Sequence, residues 1–183
     1  MRKIKSLLSL LLVIVMIFSL VSCEKKVEEK DALELVKNLV AESYELNEVL
    51  YGKGLTYLEV QDNDKYAPVD PNEKYLTVFS LKEKMREVYS SSYATSLINY
   101  LFTYHSGVYG EGIFPRYYER GGYIVVLKDY EAKDITEYNY DTVKIEKIKR
   151  KEIKATIMSV DNETVEIMLV KEVNGWRLDS PTV

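Results

Sequence analysis

The apolar period of this chain changes once. From Leu33 to Phe102 hydrophobic side chains recur at helical spacing, and from Tyr117 onward they alternate with polar ones. Helices dominate first, with only short extended pieces between them, and a long run of strands follows, which defines an α+β chain. The strands fall at residues 117–119, 123–127, 142–149, 153–160, 164–173 and 176–178, with 129–141 as an acidic connection. Arg120-Gly121-Gly122, Asp161-Asn162 and Asn174-Gly175 supply turns short enough for antiparallel pairing. The expectation is N-terminal helices packed on the concave face of a curved antiparallel sheet, as one domain over residues 31–183.

The spacing predicts a first helix over residues 31–51, capped by Asp31 and ended by Gly52 and Gly54. Its inward residues are Leu33, Val36, Leu39, Val40, Ser43, Leu46, Asn47 and Leu50. Residues 56–60 read as a strand, 61–74 as a polar loop, and 75–79 as extended. Ser80 and Glu83 form a capping box that opens a second helix. Ser90-Ser91-Ser92 separates it from a third over residues 93–102, with Ala94, Leu97, Ile98 and Leu101 inward. Residues 103–116, with three glycines and a proline, form a connecting loop.

Ahead of this domain lies a segment of another kind. Met1-Arg2-Lys3-Ile4-Lys5 is basic, residues 7–20 are apolar apart from Ser9 and Ser19, and Leu20-Val21-Ser22-Cys23 follows. The apolar run fits an export signal and is shorter than the ~20 residues of a spanning helix. The last four residues resemble the bacterial lipobox. That resemblance implies a diacylglyceryl group on Cys23, cleavage between Ser22 and Cys23, and a protein held at the extracytoplasmic face of the cell membrane. Residues 1–22 would then be signal peptide, and 23–30 a lipidated cysteine and charged tether. Cys23 is the one cysteine, so disulfides and Cys/His zinc sites are excluded. The chain has 25 bases and 29 acids, net −4; losing Arg2, Lys3 and Lys5 with no acid brings it to −7, which argues against a nucleic-acid partner.

The order of elements, closing with Val173-Asn174-Gly175-Trp176-Arg177-Leu178, resembles the cystatin-like cone of the NTF2-like superfamily. Within it, the chain is similar to bacterial inhibitors of cell-wall DL-endopeptidases. Those proteins also open with a helix running into a Tyr-x-x-Gly turn, here Tyr51-Gly52-Lys53-Gly54. The resemblance implies a non-catalytic module whose loops occlude the cleft of a peptidoglycan peptidase. The chain departs from that pattern in carrying a lipobox. A pocket protein or isomerase-like enzyme of the same fold, using His105, and a structural accessory lipoprotein are the alternatives.

Catalytic equipment is sparse. His105 is the one histidine, no Gly-x-Ser-x-Gly elbow exists, and no phosphate-binding glycine loop appears. Asp62-Asn63-Asp64 with Asp70 and Glu73 suggests calcium, but Tyr66 stands where a ligand is needed, so a solvated loop is the better reading. No metal or cofactor is expected beyond the lipid. The basic run over residues 144–154 could invite an anionic partner, but its alternation with Ile145, Ile148 and Ile153 makes the solvent face of a strand the better reading. Sixteen tyrosines are the unusual feature. Rigid amphipathic rings suit protein or glycan surfaces. Tyr104, Tyr109, Tyr117 and Tyr118, with His105 and Glu111, are the expected partner-binding patch, facing a cell-wall peptidase or another surface protein.

Overall fold

The computed structural model describes residues 27–59, 64–104 and 114–182. Helix α1 (Glu29–Leu50) forms around one stripe, Ala32, Val36, Leu39, Val40, Ser43, Leu46, Asn47 and Leu50, all buried. It starts two residues early. Glu28 is the N-cap without a side-chain bond, and Asp31 lies in the first turn, where its charge meets the positive end of the helix dipole. Gly54 carries the chain away at φ +81°.

Helices α2 (Val78–Val88) and α3 (Ser91–Leu101) follow. The expected capping box is displaced by a turn: Thr77 caps α2, its Oγ1 accepting from the Ser80 N–H at 3.0 Å. Starting there lets Val78 pack on the core alongside Leu81, Met85 and Val88. Glu83 pairs instead with Arg86, at 2.5 Å. The serine run does separate the helices, with Ser90 capping α3.

Two antiparallel sheets complete the α+β fold. The first holds β1 (Tyr66–Pro68), β2 (Tyr117–Arg120) and β3 (Tyr123–Leu127) in the order β1-β3-β2. Strand β1 lies in the stretch expected to be loop. Its Pro68 is a loop signal, yet β1 is an edge strand, where a missing N–H is tolerated. Residues expected to pair at 56–60 contribute a single bridge, Tyr57 to Val69. Gly121 and Gly122, at φ +60° and +85°, close the β2–β3 hairpin as the sequence required.

The second sheet is a meander of β4 (Tyr138–Ile148), β5 (Glu152–Ser159), β6 (Thr164–Glu172) and β7 (Gly175–Leu178), in that order. Two register shifts between β4 and β5 introduce bulges, which bend the strand that α1 packs against. The strands divide between two sheets because the segment joining β3 to β4 does not turn as a hairpin. It follows the end of α1 instead, the Lys133 N–H donating to Tyr51 O at 2.9 Å.

The space between α1 and the second sheet is filled. Ile153, Ala155, Ile157, Ile167, Leu169 and Leu178 share one buried cluster with the α1 stripe and have no exposed surface, each large side chain contributing roughly 1.5–3 kcal/mol by burial. Beside them the C-terminal segment is threaded into a polar knot. Asn47 Nδ2 donates to Thr182 O and Oγ1 at 3.1 and 3.0 Å, and Tyr89 Oη donates to Asn47 Oδ1 at 2.9 Å. All three residues are buried, and their mutual bonding offsets the cost of removing them from water.

Candidate functional site

The expected patch is part core and part surface. Tyr117 is 1% exposed and belongs to the interior: its hydroxyl donates to Val49 O at 2.8 Å and accepts from the Leu55 N–H at 3.0 Å. Its neighbour Tyr118 points the other way, as strand alternation demands, and stays half-buried. Tyr104 is 52% exposed. His105, Tyr109 and Glu111 lie outside the described residues, as do Ser22 and Cys23.

What the structure adds is Phe79, which sequence reasoning placed in an extended, unremarked segment. Because α2 starts at Val78, Phe79 falls on the first turn facing solvent, 69% exposed. It lines a surface groove of about 390 Å³ with Val78, Lys82, Phe102, Tyr117, Tyr118 and Glu119. Lys82 Nζ lies 4.9 Å from the centre of the Phe102 ring, so a cation and an aromatic face share one wall. Tyr118 meets Tyr66 edge-on at 4.5 Å. Arg120 covers its ring at 5.3 Å and is ion-paired to Asp64. A second aromatic pair, Tyr104 and Phe114 at 5.5 Å, carries Lys65 over the Phe114 ring at 4.2 Å.

A buried cation supports this end from behind. Arg116 is 5% exposed, donates Nη2 to Gly52 O at 2.8 Å, and stacks over Tyr130 at 4.1 Å. Among the described residues its Nε and Nη1 meet no hydrogen-bond partner, and burial holds the guanidinium below its ordinary range. Gly54 is glycine for this reason. A Cβ there would overlap Arg116 Nη2 and lie 2.9 Å from the Tyr117 hydroxyl, on a left-handed backbone besides.

The acidic residues considered for calcium serve turns instead. Glu73 accepts from Thr56 N–H and Oγ1 at 2.9 and 2.6 Å, which lowers its pKa, and Asp70 accepts from the Asn72 backbone and side chain at 2.8 Å. Asp62 and Asn63 are outside the described residues. Among the described residues no three His, Cys, Asp or Glu side chains gather as metal ligands, and no helix is long and apolar enough to cross a membrane. Compared with known proteins, the chain matches no family model and no curated protein sequence.

Proposed function

We propose that this protein is a bacterial lipoprotein, anchored at the extracytoplasmic face of the cell membrane through diacylglycerol on Cys23, whose globular domain is a non-catalytic binding module. The observation that carries the binding reading is the groove around Phe79. A benzyl group largely in water beside Phe102, Tyr118 and Lys82 is surface that gains by being covered. Rings with few rotatable bonds lose little entropy when a partner covers them, so they suit a protein contact. The filled interior between α1 and the second sheet favours this over a small-molecule pocket. In its specific form the partner is a peptidoglycan DL-endopeptidase, its cleft occluded by the aromatic end.

The test is peptidoglycan hydrolysis by DL-endopeptidases with the purified protein added. Inhibition at micromolar concentrations is expected, weakened about tenfold or more by Phe79→Ser if Phe79 anchors the contact. Unchanged hydrolysis at micromolar excess removes the inhibitor reading, and inhibition indifferent to Phe79 moves the contact elsewhere.

A further inference from the structure

The second sheet has a charge axis. At one end of the second sheet the β4–β5 turn is closed by the Lys149 N–H donating to Glu152 O at 2.8 Å, which puts Arg150 and Lys151 at its exposed corners. Lys147 is exposed one step below. The β6–β7 turn lies alongside, with the Lys171 N–H donating to Lys151 O at 3.0 Å. At the tip of that second turn Val173 is fully exposed. A surface depression of about 630 Å³ between the two turns is bordered by Arg150, Lys151, Lys171, Val173 and also Glu172, whose carboxylate accepts from the Ser91 N–H and hydroxyl at 2.7 and 2.8 Å. At the opposite end the exposed residues include Glu131, Asp134, Glu137, Asp161 and Glu163.

The N-terminus of α1 points to the basic end. Lys37 meets Asp141 at 3.6 Å, whereas Tyr44, two turns on, reaches Glu137 at 3.4 Å, so α1 runs antiparallel to β4. Val27 therefore packs on the core at the end where Ile145 and Ile148 do. Three residues lie between Cys23 and Val27, so four Cα steps give a reach of at most about 14 Å.

We infer that the paired turns β4–β5 and β6–β7 are a membrane-docking surface, with Lys147, Lys149, Arg150, Lys151 and Lys171 on anionic lipid headgroups and Val173 entering the interface between them. This rests on the lipid anchor proposed at Cys23. A tether that short brings the basic end to the bilayer, and the acidic end is repelled from it. Each base near an anionic surface adds to the attraction, and an apolar tip flanked by bases suits lipid better than a free anion. The aromatic groove, toward the other end of the roughly 33 Å helix α1, is thereby held out toward partners.

Trp176, the one tryptophan, is opposite Lys171 in the β6–β7 pair and reports on this end. The lipidated protein is reconstituted into phosphatidylcholine vesicles with or without phosphatidylglycerol, both containing lipid spin-labelled at the headgroup. Trp176 quenching should be stronger on anionic vesicles. Roughly half or more of the increment should vanish at about 0.5 M salt, or in the combined Lys147→Gln, Lys149→Gln, Arg150→Gln, Lys151→Gln protein. Val173→Ser should lower quenching while the fold, read by circular dichroism, is retained. Moving the reporter, with Trp176→Phe and Tyr104→Trp, should abolish the anionic increment. Quenching equal on both vesicles, or unaltered by the four substitutions, overturns the docking surface while leaving the anchor standing. Detergent-phase partition tests the anchor separately: protein found in the aqueous phase overturns both.

Discussion

Tyr117 and Tyr118 are adjacent in sequence and opposite in role. Residue type and crowding marked both as surface candidates, but neighbours on a strand face opposite ways, and that rule alone separates them. The sequence could not say which faces inward, because this depends on where the Tyr117 hydroxyl meets the end of α1. Tyr117→Phe should lower stability by about 1–2 kcal/mol in urea unfolding, since it leaves the Leu55 N–H without its acceptor. Tyr104→Ala, at an exposed position, should change it by less than about 0.5 kcal/mol. Gly54→Ala should cost about 2 kcal/mol or more, through both its backbone conformation and the overlap with Arg116. That the chain turns near Gly54 was legible. The arginine lying against it comes from 62 positions downstream and was not.

At the scale of elements, the periodic parts were legible and the edges were not. The buried stripe of α1, the diglycine hairpin and strands β5 to β7 are set by local pattern and turn chemistry, so they appear where the sequence puts them. The start of α2 was misplaced because Thr77 and Ser80 offer the same capping chemistry one turn apart, and packing of Val78 chooses between them. That shift is also what brings Phe79 to the groove. Strand β1 escapes local pattern because its three residues contain a proline and are held by pairing with distant β3 and with the 56–58 segment. Residues 179–182 carry no periodic signal at all. They dock by specific bonds: Asp179 N–H to Met168 O, Ser180 Oγ accepting from the Met168 N–H, and Thr182 with Asn47. Deleting residues 180–183 should therefore destabilise the fold by about 2–4 kcal/mol, measured by denaturant unfolding, because Asn47 and Tyr89 lose buried partners.

For the molecule as a whole, the abundance of tyrosine couples stability to alkaline pH. Burial pushes Tyr89 and Tyr66 up to about 12 and raises Tyr117, Tyr130 and Tyr138 as well. The folded state thus keeps protons that the unfolded chain releases near its ordinary value of about 10. Stability should be complete below about pH 10 and fall as pH rises toward 12, Tyr89 alone removing up to about 2–3 kcal/mol. A urea-unfolding series across that range checks the sign: a midpoint constant to pH 12 would contradict it. On the same scale, the proposed docking surface and lipid anchor would together orient the domain, with the basic turns at the bilayer and the aromatic groove held away from it. That proposal hangs on one covalent bond, the thioether proposed at Cys23. Mass analysis of the N-terminal peptide from membrane-extracted protein measures it directly. The proposed anchor requires Cys23 as first residue, carrying a diacylglyceryl thioether; a chain retaining Ser22, or an unmodified Cys23, would contradict it.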